Sequence, residues 1–125
     1  MKKQPLVTRE SLKLMLDNAN LAKKQEIIGR ALVALLNRQT ADEQASAVTN
    51  NHNSMGFAQC DAFTGTKCAK YFRDTGRLEG WMIGVWLKRQ ANGFPRIAKY
   101  HKQLNEVAEA KAKVNTEQLQ IAQAA

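Results

Sequence analysis

Cysteine is scarce in this chain: only Cys60 and Cys68 occur in 125 residues. The opening "MKKQPLVTRE" has two lysines but no apolar stretch behind them, so no secretory signal is read there. Two cysteines without such a signal are expected to be reduced thiols in a cytosol. Long apolar runs are also missing. The longest are "ALVALL" at 31–36 and "WMIGVWL" at 81–87, far short of the roughly 20 residues that span a bilayer. No membrane partner is expected. Strict alternation of apolar and polar residues is absent, which argues against a sheet. There is no Walker A run, no GxGxxG and no cluster of carboxylates, so no phosphotransfer or two-metal chemistry is framed.

What the chain does have is positive charge, and it is unevenly placed. The formal net charge is +8. Residues 1–66 carry a net +2 and residues 103–125 a net −1, whereas residues 67–102 carry +7. In that block nine Lys and Arg face only Asp74 and Glu79. Like charge held close repels itself, and a bound polyanion is the common offset.

Helical signals dominate. Thr8 is placed to cap a helix whose stripe is Leu12, Met15 and Leu16, ending at Asn18 to Asn20. A second helix is expected over 21–38, with Ile28, Leu32, Leu35 and Leu36 on its apolar side. Thr40 and Glu43 then have the spacing of a capping box, with Asp42 in the first turn, and predict a new helix start. "NNHNSMGF" at 50–57 is a polar loop, with Gly56 allowing a turn and Phe57 expected to anchor it in the core. Helices of about 64–75, capped by Thr64 and stopped by Gly76, and of about 78–91, stopped by Asn92-Gly93, follow. Pro95 suits the first turn of a last helix. Ile97, Tyr100, Leu104 and Val107 repeat there at spacings of 3, 4 and 3, a seam for packing. The expectation is one all-α domain over 1–108, a compact bundle of five or six helices with one Asn/Gly-rich loop and a long C-terminal helix. Residues 109–125 read as a helical extension: a projecting helix, a partner-binding or self-pairing helix, or a frayed end.

The candidate binding residues follow from the charge. Lys67, Lys70 and Arg73 fall within about 60° of one direction on a helix. Arg77 follows, Lys88 and Arg89 close the next helix, and Arg96, Lys99 and Lys102 repeat the three-residue spacing. Three basic edges gathered on one surface would hold a phosphate backbone. The competing reading is three solvated faces that point apart, with Lys88 and Arg89 merely complementing a helix C-terminus. Asn51, His52 and Asn53 are adjacent groups able to read base edges, although Asn also satisfies its own backbone. The aromatics Tyr71, Phe72, Trp81, Trp86, Phe94 and Tyr100 interleave with the cations and suit base stacking by type, but core packing is the stronger expectation. Cys60, Cys68, His52 and His101 are the inventory of a zinc site, yet their spacing is wrong. Both cysteines are expected to be small buried hydrophobes. No metal, cofactor or catalytic residue is expected, and the chain does not read as an enzyme.

Several runs together resemble a family. "NRQTADEQAS" at 37–46, His52-Asn53, Gly56-Phe57, Asp61-Ala62, "AKYF" at 69–72 and "GRL" at 76–78 form its first part. "GFPRI" at 93–97, "KYH" at 99–101 and "QLNE" at 103–106 form its second. The pattern, over about residues 30–108, is similar to that of small proteins of phages, plasmids and other mobile elements, with similar segments appended as modules in helicase-like proteins. That resemblance assigns no chemistry. It implies nucleic-acid metabolism or interference with host defence, in the cytoplasm of a bacterial host. Two functional expectations result. One is a non-catalytic accessory protein that binds nucleic acid, DNA over RNA. The other is an inhibitor of a host defence complex, of anti-CRISPR or anti-restriction type, acting through the same basic face.

Overall fold

The computed structural model describes residues 4–49 and 56–124. It is 78% helical and contains no strand among the described residues. Five helices run in order: α1 (Arg9–Asn18), α2 (Leu21–Thr49), α3 (Ala62–Thr75), α4 (Gly80–Leu87) and α5 (His101–Ala124). Single 3-10 turns precede two of them, Gln59–Asp61 before α3 and Arg96–Tyr100 before α5.

The helix ends follow local chemistry. Thr8 caps α1 as expected: its Oγ1 accepts from the Ser11 amide at 3.0 Å and Ser11 Oγ accepts from the Thr8 amide at 2.8 Å. α1 stops at Ala19, inside the Asn-rich break. Gly76 ends α3 with φ at +74°, the left-handed conformation that a Cβ would disfavour.

Four expectations are corrected. Thr40 does not start a helix. Its hydroxyl donates back to the Leu36 carbonyl at 3.0 Å, and α2 runs through it unbroken to Thr49. α3 begins at Ala62 rather than Thr64, because the Gln59–Asp61 turn feeds directly into it. α4 is shorter than 78–91. It ends at Leu87, and residues 90–93 make a turn closed by an antiparallel bridge between Arg89 and Pro95. Pro95 therefore precedes a 3-10 turn, and α5 proper starts at His101.

The core joins all five helices. Leu12 and Leu16 from α1, Ile28, Leu32, Leu35 and Leu36 from α2, Cys68 and Ala69 from α3, Met82, Ile83 and Trp86 from α4, and Leu104 from α5 form one cluster. Ile97 and Tyr100 enter it as the seam predicts, and Val107 lies half-buried at its edge. Met15, expected on the α1 stripe, is exposed instead. Phe57 is buried, its ring 6.1 Å from Trp86 and 6.0 Å from Tyr100, the latter edge-on. The largest helix contact is between α2 and α3. It is close because a glycine faces a ring there: a Cβ at Gly29 would overlap the Phe72 ring. Gly65 likewise makes room for Phe57, in the segment before α3.

Candidate nucleic-acid interface

The nine basic residues of the 67–102 block are held by different sets of neighbours. Arg96 and Lys99 converge on Asp61, which is completely buried. The Lys99 ammonium lies 2.5 Å from Asp61 Oδ2, Arg96 pairs with Oδ1, and the Tyr100 hydroxyl donates to the same carboxylate. Arg96 also stacks 5.4 Å from the centre of the Trp86 ring. Burial by itself opposes charge on Asp61, but the hydrogen bonds from Lys99, Tyr100 and Arg96 outweigh it and hold the carboxyl below its ordinary range. The Tyr100 hydroxyl is pushed well above its usual value, first by burial and then by its bond to Asp61. This cluster ties the turn before α3 to the turn before α5. Its cations are committed to a carboxylate.

Two others of the nine are also paired. Arg89 reaches Asp17 at the end of α1 at 2.7 Å and the Gly93 carbonyl at 3.2 Å. Arg73 contacts its neighbour Asp74 at 3.2 Å and turns toward a groove beside α2. The remaining five, Lys67, Lys70, Arg77, Lys88 and Lys102, are exposed and make no ion pair among the described residues. Lys102 stands with Arg9 and His101 around a small cleft. There burial first, and then the charges of Arg9 and Lys102, lower the His101 pKa and favour neutral imidazole.

Lys67 and Lys70 sit one turn apart on α3, with Phe63 one turn before them. Phe63 is 84% exposed. The Lys67 ammonium lies 5.5 Å from the centre of the Trp81 ring, which is itself 47% exposed, and Glu79 Oε2 accepts from the Trp81 indole N–H at 2.7 Å. Trp81 is thus not in the core, contrary to the sequence expectation, and Trp86 is. The reason is the helical arc. Met82, Ile83 and Trp86 share the buried side of α4, and Trp81 falls on the far side of the helix from them. The same geometry identifies Phe63, which charge and spacing did not single out. Gly65, Cys68 and Ala69 define the buried arc of α3, and position 63 falls opposite it. Two aromatic surfaces and two free ammonium groups therefore share the α3–α4 face.

Cys60 is exposed and Cys68 buried, so only Cys68 meets the expectation of a small core hydrophobe. Burial raises its thiol pKa. Among the described residues no group of three or more His, Cys, Asp or Glu is arranged to hold a metal. No helix is long and apolar enough to cross a membrane among the described residues. Asn51, His52 and Asn53 lie outside the described residues. The chain just after them is clamped: Gln103 accepts from the Gly56 amide at 2.7 Å and donates to its carbonyl at 3.0 Å. Neither a family model, a curated protein nor a solved structure matches this chain.

Proposed function

We propose that this protein is a small basic accessory factor that binds nucleic acid non-catalytically, single strands in preference to duplex, through the α3–α4 face. The observation that carries the reading is the exposure of Phe63 and Trp81 beside Lys67 and Lys70. Unpaired bases offer flat surfaces to aromatic rings, while ammonium groups neutralise the phosphates between them. A duplex hides its bases and would use only the cations. Arg77, exposed in the α3–α4 connection, is a further cation within the same block. DNA of a phage, plasmid or other mobile element is the proposed setting, on the strength of the sequence resemblance described above.

The test is fluorescence anisotropy with a labelled oligo(dT) strand and a duplex of equal length. The single strand is expected to bind more tightly, and Lys67→Ala with Lys70→Ala to weaken both. Equal affinity for duplex and strand would remove the stacking argument. Unchanged affinity in the double variant would remove this face.

A further inference from the structure

The apolar groove between α2 and α5 lies on the other side of α3 from Phe63 and owes nothing to the nucleic-acid reading. It encloses about 680 Å³ and continues into a cleft of about 440 Å³ farther along α5, the two sharing Arg38, Val107 and Lys111. Its walls have a helical repeat. On α2, residues 30, 33, 34, 37, 38 and 41 line it, and on α5 residues 106, 107, 110, 111, 114 and 115 do. Each set follows the spacing of three and four that one helix presents to another. Phe72 from α3 closes the end. Val33, Ala34, Phe72 and Val107 remain part-exposed, and Val114 is 49% exposed. Two helices thus offer part-exposed apolar residues along a shared groove.

The rim selects the charge of an occupant. Among the described residues Arg30, Arg38, Arg73 and Lys111 line the main groove and no carboxylate does. Arg30 and Arg73 have carboxylate neighbours, Glu26 and Asp74, that do not line the groove, whereas Glu106 lines the adjoining cleft and holds Arg38 at 2.6 Å. Arg73 bonds Asp74 through Nε, which leaves its terminal nitrogens for an incoming acid. A second copy of this chain is disfavoured, because both partners would carry +8. We infer that this groove docks an acidic amphipathic helix from a partner protein, with its apolar seam on Val33, Val107 and Val114 and its carboxylates on the Arg30, Arg73 and Lys111 rim.

The test uses the full chain and two fluorescein-labelled amphipathic peptides of about 18 residues, or five turns. They share one leucine seam, flanked by glutamates in one peptide and lysines in the other. The glutamate peptide is expected to bind saturably and at least tenfold more tightly than the lysine peptide. Ala110→Gln, at an exposed position that lines the cleft, is expected to weaken it at least tenfold with the melting temperature unchanged. Lys111→Glu is expected to do the same, and Lys67→Ala to leave binding intact. No saturable binding, equal binding of the two peptides, or indifference to Ala110→Gln would overturn the assignment. So would a concentration-dependent dimer in sedimentation that Ala110→Gln dissolves, since the occupant would then be a second copy. Loss of oligo(dT) binding in other variants has no bearing on either result.

Discussion

Asp61 is the residue whose surroundings decide the most. Removing its carboxylate leaves Arg96 and Lys99 facing one another and the buried Tyr100 hydroxyl without its acceptor. Asp61→Ala is expected to cost about 3–5 kcal/mol in urea unfolding, with Asp61→Asn milder because it keeps an acceptor for Tyr100. The pH dependence has a definite sign. Its folded pKa is depressed, so its contribution is fully present above the unfolded value near 3.9 and is lost as pH falls through the lower folded one. Unfolding midpoints of the wild type should drop on acidification below about pH 4, and Asp61→Asn should flatten that slope. On the α3–α4 face, Phe63→Ala and Trp81→Ala should each weaken oligo(dT) binding by about 1–3 kcal/mol, the range for a lost base stack. Neither should lower stability much, because both rings are largely outside the core. Little of this was legible beforehand. Arg96 and Lys99 read as phosphate ligands because a linear sequence does not show a carboxylate 35 or more residues away closing on them. Phe63 was legible in principle, as the residue opposite a small-residue arc.

Helix packing turns on small residues. Gly29 faces the Phe72 ring and Gly65 faces Phe57, so Gly29→Ala and Gly65→Ala should each destabilise by about 1–3 kcal/mol through overpacking. Thermal melts would show this as a lower midpoint, and an unchanged midpoint would mean that the rings swing aside at no cost. Thr8→Ala removes one half of a reciprocal cap and should cost about 1 kcal/mol. Helix existence was largely legible at this scale, because apolar spacing is a property of each segment alone. Ends that depend on a single local bond were legible too, as at Thr8 and Gly76. The failed start at Thr40 shows the limit. The same hydroxyl that caps a helix can bond back to the carbonyl four residues earlier, and at Thr40 it does. α4 was overextended because Lys88 and Arg89 continue a helical spacing while their backbone turns into the bridge with Pro95.

For the whole molecule the charge is less concentrated in space than along the chain. Four of the nine cations in the 67–102 block contact carboxylates, two of them sharing Asp61. If the proposed binding uses Lys67, Lys70 and Arg77, which make no ion pair among the described residues, a modest salt response is expected. Plotted against log salt, log affinity for a single strand should fall with a slope of about −2, at roughly 0.7 for each phosphate neutralised. A slope of about −6 would instead require all nine residues of the block to reach the strand together. A flat line would exclude phosphate contact altogether.

The ring of Phe72 seated at Gly29 works like a detent between two rods. Sliding α3 along α2 would drag an aromatic edge over the neighbouring side chains, so this pair is held in register and turns as one piece. α5 meets α2 more sparingly. There the register rests on Arg38, which reaches both Glu106 and the Gln103 carbonyl.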